Sequence, residues 1–276
     1  MKPTIVLIHG LWVTPRSWEH WVARFTGQGY EVLTPAYPGL EVEVEALRAD
    51  PSPIAAVTIP ATIAHLEDVI SKLKTPPILM GHSFGGALVQ ILLDHGYGAA
   101  GVTIDSVATE GVLTLPLSQI KATFPVLDNP ANRHKAVPFT ASQFHYAFAN
   151  SLNEDESLAV YERYAVAAPG SWIWGGALAN FKPGRQEGWV DYANNDRAPL
   201  LFIAGGDDHL VPPVVNKSNF KHYHKSTAVT EYKEFEGRTH YTVGQPGWEE
   251  VADFALTWAA QHLAAAPATP ATAGVA

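Results

Sequence analysis

Short, unbroken apolar runs alternate along this chain with stretches in which apolar residues recur every three or four positions. Ile5-Val6-Leu7-Ile8 is apolar throughout and lies between Pro3 and Gly10, as expected of a strand covered on both faces. Ser17 is placed to cap a helix with Trp18, Trp21, Val22 and Phe25 on one face, stopped by Gly27 and Gly29. Residues 31–34 predict a second strand, ended by Pro35 and Pro38, and an acidic, proline-containing loop follows over 41–53. Pro60 opens a helix that turns Ile59, Ile63, Leu66, Ile70 and Leu73 inward. A strand over 78–80, a helix carrying Ala87, Leu88, Ile91 and Leu92 to Gly96, and strands over 102–104, 200–203 and 229–235 continue the pattern. A last helix over 248–263 presents Val251, Phe254, Ala255 and Trp258.

Repeated strand-then-helix order with nearly continuous apolar strands predicts an α/β fold, a mostly parallel sheet with helices on both faces. The alternation breaks over 112–185, which reads as helices without strands. One covers 140–150 with Phe144 and Phe148 paired; another covers 154–166 behind an Asn153 cap and an acidic first turn. A helical insertion of this kind sits naturally over the strands' carboxyl ends as a lid. The expected organisation is therefore a core of 1–111 and 186–263, a helical lid of 112–185, and a disordered tail of 264–276 built from Ala, Pro and Thr with a Gly and a Val.

Composition narrows the function. With 276 residues, 47% hydrophobic and only 16% charged, the chain is long and apolar enough for one large buried core. A formal net charge of -9 without any basic cluster argues against nucleic acid or a membrane surface as partner. The absence of cysteine removes disulfides, thiolate metal sites and cysteine nucleophiles together. The N-terminal apolar stretch is too short for a signal peptide and no apolar run reaches membrane-spanning length, so the cytoplasm is the default location.

The chemistry concentrates in Gly81-His82-Ser83-Phe84-Gly85, between an apolar strand and a helix. A sharp strand-to-helix turn strains the central residue and lifts its oxygen above the sheet edge, while Gly81, Gly85 and Gly86 leave room where backbones converge. The helix start behind Ser83 offers unpaired N–H groups and the positive dipole end to an oxyanion. Ser83 is thus a candidate nucleophile, and it needs a base and an orienting carboxylate. Asp207 and Asp208 follow one buried strand, and His240 follows the next.

Together these pieces resemble the α/β-hydrolase superfamily over all of the chain but the tail. The matching parts are His9-Gly10 after the first strand, the Ser83 elbow, a Gly-x-x-Asp-x-x-Val-Pro pattern from Gly205 to Pro212, and His240, in the family's chain order of Ser, Asp, His. The resemblance makes Asp208 the acid, with Asp207 as competitor; the alternative role for Asp207 is a solvated loop carboxylate or cap. Phe84 N–H is the first expected oxyanion donor, and by resemblance Leu11, after His-Gly, supplies the second. Trp12 either lines the acyl pocket or packs under the lid. His9 and His82 are better placed to orient loops than to reach Ser83. His209 reads as surface or rim, and His20, His65, His95 and His262 as solvated. His222 and His224, two apart, do not share a helix face, so no metal and no cofactor is expected. Phe124, Phe139, Phe144, Tyr146, Phe148, Trp172, Trp174 and Phe181 make the lid aromatic. Most must form its core and a few face the pocket, which favours an apolar or aromatic substrate; Trp12, Phe144, Trp172 and Tyr241 are the candidate contacts.

The resemblance implies a serine hydrolase of a small or medium carboxylic ester, or a lactone. Serine at the elbow disfavours the haloalkane dehalogenases and epoxide hydrolases of this fold, which carry Asp there. The chain starts almost directly on the His-Gly strand and so is similar in outline to plant methylesterases and hydroxynitrile lyases. Those lyases have Thr after the strand His and Lys after the catalytic His; Gly10 and Tyr241 resemble the esterase side. Cofactor-free dioxygenases, perhydrolase-type haloperoxidases and a non-catalytic ligand receptor stay open as alternatives, as does the oligomeric state.

Overall fold

The computed structural model describes residues 2–263; the tail predicted over 264–276 lies outside them. In chain order, β1 (Ile5–Ile8), α1 (Glu19–Gly27), β2 (Val32–Leu33), α2 (Val44–Ala49), α3 (Ser52–Ala56), α4 (Ile59–Ser71), β3 (Ile78–His82), α5 (Phe84–Asp94) and β4 (Ala100–Ile104) form the first part. An inserted segment holds α6 (Leu117–Leu127), β5 (Ala136–Val137), α7 (Ala141–Phe148), α8 (Glu154–Tyr164), β6 (Ala168–Pro169) and α9 (Gly170–Ala179). Then β7 (Leu200–Gly205), α10 (Pro213–His222), β8 (Thr230–Phe235) and α11 (Trp248–His262) complete the order.

Six strands make one sheet in the order β2-β1-β3-β4-β7-β8, with every neighbouring pair parallel. Side chains alternate across a strand, so each apolar run feeds two cores. Ile5, Leu7, Ile78, Met80, Val102 and Ile203 pack with Trp18, Trp21 and Phe25 near α1 and with Val251, Ala255 and Trp258 of α11. Val6, Ile8, Leu79, Leu200 and Phe202 belong to the other core, with Leu66 and Ile70 of α4, Leu88 and Leu92 of α5 and Val215 of α10. The register pairs Ile8 with Gly81, His82 with Ile104, and Gly205 with Phe235. The loops that bear the candidate residues therefore leave the sheet along one carboxyl edge.

Several local expectations change. Ser17 is not a cap: Thr14 accepts Arg16 N–H and caps a 3-10 turn over Pro15–Trp18, while Ser17 Oγ donates to Thr14 O at 2.9 Å. The acidic stretch over 41–53 is not a plain loop. Buried Val44, Leu47 and Ile54 hold α2 and the start of α3 against the core, although charged neighbours hide their spacing. The inserted segment is not free of strands, because Ala136 pairs with Pro169 and Val137 with Ala168, antiparallel. Two residues are too few to show a period. Both predicted helices there are present, α7 and α8, each closed by a capping box (Thr140 with Gln143, Asn153 with Glu156). Phe124 and Phe181 are largely exposed and lie outside the segment's aromatic core, and Phe254 stays partly exposed on α11. His262 is partly covered by stacking on Trp258, and His95 pairs with Glu67 at 2.7 Å. Among the described residues no helix is long and apolar enough to cross a membrane.

Candidate active site

Ser83 stands between β3 and α5 at φ 57°, ψ −118°, a left-handed backbone that a β-carbon resists. Close packing imposes that turn. A β-carbon on Gly81 would lie 2.1 Å from Gly85 O, and one on Gly85 2.2 Å from Ile8 O. Ser83 N–H still donates to Ile104 O at 2.8 Å, so the strained residue remains stitched to β4. Phe84 is the first residue of α5, hence its N–H lacks a partner within the helix. On the β1 side Leu11 precedes Trp12, whose φ of 63° bends the loop.

Asp208 is the acid that meets the histidine. Its Oδ1 accepts the N–H groups of Leu210 at 2.7 Å and Val211 at 2.8 Å, and its Oδ2 accepts His240 Nδ1–H at 2.7 Å. Both side chains are wholly buried. Burial pushes the Asp208 carboxyl up, and the two backbone N–H groups pull it back. Asp207 is exposed; its backbone N–H donates to Arg238 O and its carbonyl accepts Asn150 Nδ2, a loop-bracing position.

His240 is held from four directions. Thr239 N–H donates to Gln245 Oε1 at 2.8 Å, and Tyr241 N–H donates to Phe148 O of α7 at 2.8 Å. His82 Nε2 donates to His240 O at 2.7 Å, and the ring of Phe148 meets the imidazole edge-on at 4.7 Å. His240 Nε2 is buried and has no partner among the described residues; no hydrogen bond joins it to Ser83. Such contacts are commonly open in a substrate-free enzyme and close on binding. Burial lowers the His240 pKa below the ordinary imidazole value. A base with a lowered pKa stays unprotonated as pH falls, so activity that depends on it survives through pH 6.5 and is lost further down. A kcat/KM profile is expected to place its acid limb below 6.5; a limb at or above that value contradicts the burial argument.

The other candidates fall around this pair. His9 Nδ1 donates to Gly10 O at 2.8 Å, its carbonyl accepts the Tyr37 hydroxyl, and burial pushes its pKa down to about 4, so it braces the β1 loop as a neutral ring. Trp12 packs beneath the inserted segment, stacked on Phe139 at 4.2 Å with Nε1 donating to Val137 O. Trp172 lies 4.6 Å from the Phe84 ring and donates to Val57 O. Phe144 stacks on Phe148 and so sits one ring further from His240, and Tyr241 is buried beside Tyr164. Ser83 is only 2% exposed, which leaves the site closed. A groove of about 490 Å³ near α6 and α7, lined by Lys121, Ser142, Tyr146, Asn150 and His209 among others, does not include Ser83. His209 Nδ1 donates to Tyr146 O at 3.1 Å, at the rim of that groove. His222 and His224 each face a carbonyl of a nearby residue, Ser218 and Lys221.

One buried acid was not anticipated. Asp105 follows β4 directly, and one of its carboxylate oxygens, a ring nitrogen of His82 and a ring nitrogen of His240 lie within 4.8 Å of one another. The donor types could hold a cation; His82 Nε2 and His240 Nδ1 are committed to His240 O and Asp208, which leaves His82 Nδ1 and His240 Nε2 without partners among the described residues. The available signal was positional: like Asp208 and His240, Asp105 follows the carboxyl end of a parallel strand.

The family model described as "Alpha/beta hydrolase family" matches residues 5–254, and the chain belongs to that family. Among solved structures, an extracellular α/β-hydrolase from a Paenibacillus species is similar at 20% identity and a TM-score of 0.67, covering 93% of this chain and 98% of that one. A monoacylglycerol lipase from Paleococcus ferrophilus is similar at 17% identity and TM-score 0.64, with 95% and 96% covered. A pyrethroid hydrolase from Sphingobium faniae is similar at 18% identity and TM-score 0.62, with 94% and 98% covered. No curated protein matches the chain by sequence.

Proposed function

We propose that this protein is a serine hydrolase of small or medium carboxylic esters or lactones. The observation that carries the reading is the buried 2.7 Å bond between His240 and Asp208, on loops at the same sheet edge as a serine held at φ 57°. Ser83 Oγ attacks the ester carbonyl while His240 takes its proton, and Asp208 fixes the imidazole's tautomer and stabilises its charged form. Phe84 and Leu11 N–H groups receive the developing oxyanion. Collapse breaks the C–O bond to the alcohol, which leaves with the proton from His240. His240 then deprotonates water, which attacks the acyl-enzyme, and the acid departs as Ser83 regains its proton. These steps need no cofactor.

Residues 112–185 serve in this reading as a lid over the core formed by 1–111 and 186–263. Trp12, Trp172 and the Phe84 ring give the site apolar, aromatic walls, which suit an ester with an apolar or aromatic portion. Two of the similar structures bear names of hydrolases of apolar esters, a monoacylglycerol lipase and a pyrethroid hydrolase, which supports the same substrate class. Gly10 and Tyr241 favour ester cleavage over cyanohydrin cleavage. The test is a panel of p-nitrophenyl acyl esters together with a fluorophosphonate probe and peptide mapping. Turnover with the label on Ser83 is expected. A folded sample that neither turns over nor takes the label favours a ligand receptor instead, and oxygen uptake without ester turnover favours the dioxygenase alternative.

A further inference from the structure

We propose that Asp105 is a second orienting acid for His240, near enough to take the imidazole when Asp208 is removed. The inference rests on reading His240 as the base. A structural duty accounts for half of this carboxyl only. Oδ1 accepts Gly205 N–H at 2.6 Å and ties the end of β4 to β7, a bond an Asn could make equally well. Oδ2 is buried and has no partner among the described residues. Asp105 is fully buried and sits at φ 50°, so the chain accepts backbone strain to place an acid there. The gap to the His240 ring, 4.8 Å at most, exceeds a hydrogen bond by no more than about 2 Å. Closing it requires the Asp105 carboxylate, the imidazole or both to shift.

The groups facing Asp105 come from four places. His82 arrives from β3, Asp208 from the loop after β7, His240 and Thr242 from the loop after β8, and Tyr232 from β8 itself. Burial first, and then the neighbouring Asp208 charge, hold the Asp105 carboxyl well above the usual carboxylate range, against the opposing bond from Gly205 N–H. Three N–H groups converge on Asp208 and one on Asp105, so of the two carboxyls Asp208 is the better place for a negative charge. Without Asp208 the like-charge repulsion disappears, and Asp105 ionises more readily while burial still holds it up. Its anion then pairs with the imidazole.

The experiment is a double-mutant cycle of Asp208→Ala and Asp105→Asn, read as kcat on a p-nitrophenyl ester and as the rate of fluorophosphonate labelling. Loss of an orienting acid with no substitute ordinarily costs about 10⁴-fold in kcat. Here Asp208→Ala is expected to lose about 10²-fold and Asp105→Asn a few-fold. The double variant should lose about 10⁴-fold, far beyond the product of the two. Rising pH should also raise the residual activity of Asp208→Ala up to tenfold per unit until Asp105 ionises, and that climb should be missing in the double variant. If Asp208→Ala fails to fold, Asp208→Asn replaces it; if Asp105→Asn fails, the pH climb in the Asp208 variant decides alone. A folded double variant no slower than Asp208→Ala, or an Asp208 variant without the climb, overturns the inference. An unmodified protein that neither hydrolyses esters nor takes the label sinks the underlying reading instead.

Discussion

Replacing Ser83 with Ala is expected to lower ester turnover by roughly 10⁴- to 10⁶-fold while the protein stays folded. The residue's position at the elbow leaves no neighbouring hydroxyl on the same turn to stand in for it, since His82 and Phe84 flank it. Alanine keeps the backbone bonds that define the turn, Ser83 N–H to Ile104 O and Gly86 N–H to Ser83 O, so folding should change little. His240→Ala should lose a similar factor, and the double variant should be no slower than either, because the two side chains act as one unit. Steady-state assays on purified variants, with the active sites titrated to exclude contaminating parent enzyme, measure this. A loss smaller than about tenfold for Ser83→Ala would place the nucleophile elsewhere.

Gly85→Ala should rank with Gly81→Ala among the most destabilising single methyl additions to the glycines near the site. The new carbon would sit 2.2 Å from Ile8 O and 2.7 Å from His9 O, backbone atoms with no rotamer to escape into. Relief requires α5 to separate from β1, which breaks packing across the sheet's centre. Overpacking usually costs 1–3 kcal/mol, and a clash with fixed backbone belongs at or above the top of that range, about 3 kcal/mol or more. For a domain stable by about 5–15 kcal/mol that is a large share. Gly175 in α9 is the matched control: nothing lies within 4 Å of a β-carbon there. Alanine at 175 should be neutral or stabilise by up to about 1 kcal/mol. Urea unfolding midpoints compare the pair, and a Gly85→Ala protein within about 1 kcal/mol of its parent contradicts the packing argument.

The parts of the fold written as long patterns were legible from the letters. β1, β3, β4 and β7 are apolar runs with punctuation at both ends, and α4, α7, α8 and α11 carry either a clear stripe or a cap. What escaped was short or was set by tertiary contacts. β5 and β6 are two residues each, α2 and α3 are recruited by a few buried side chains amid charge, and α6 and α9 lack a clean polar face. At the site, the motif pattern placed Asp208 ahead of Asp207, and the coordinates put Asp208 alone against His240. Asp105 went unnoticed because a single acid after a strand has no local signature; its significance arises only when β3, β4 and β7 stand side by side. The positions of Trp12 and Phe144 were likewise beyond the letters, since which ring lies nearest the imidazole depends on how α7 is laid across the sheet.

The bond from Tyr241 N–H to Phe148 O ties α7 to the loop that carries His240. Whatever lifts the C-terminal end of α7 also tugs the peptide next to the imidazole. Under the proposed function, a bulky guest that props α7 ajar would slacken the base that must act on it. Size discrimination would then surface in the speed of cleavage more than in the tightness of capture, with oversized esters lodging as well as small ones and reacting far more slowly.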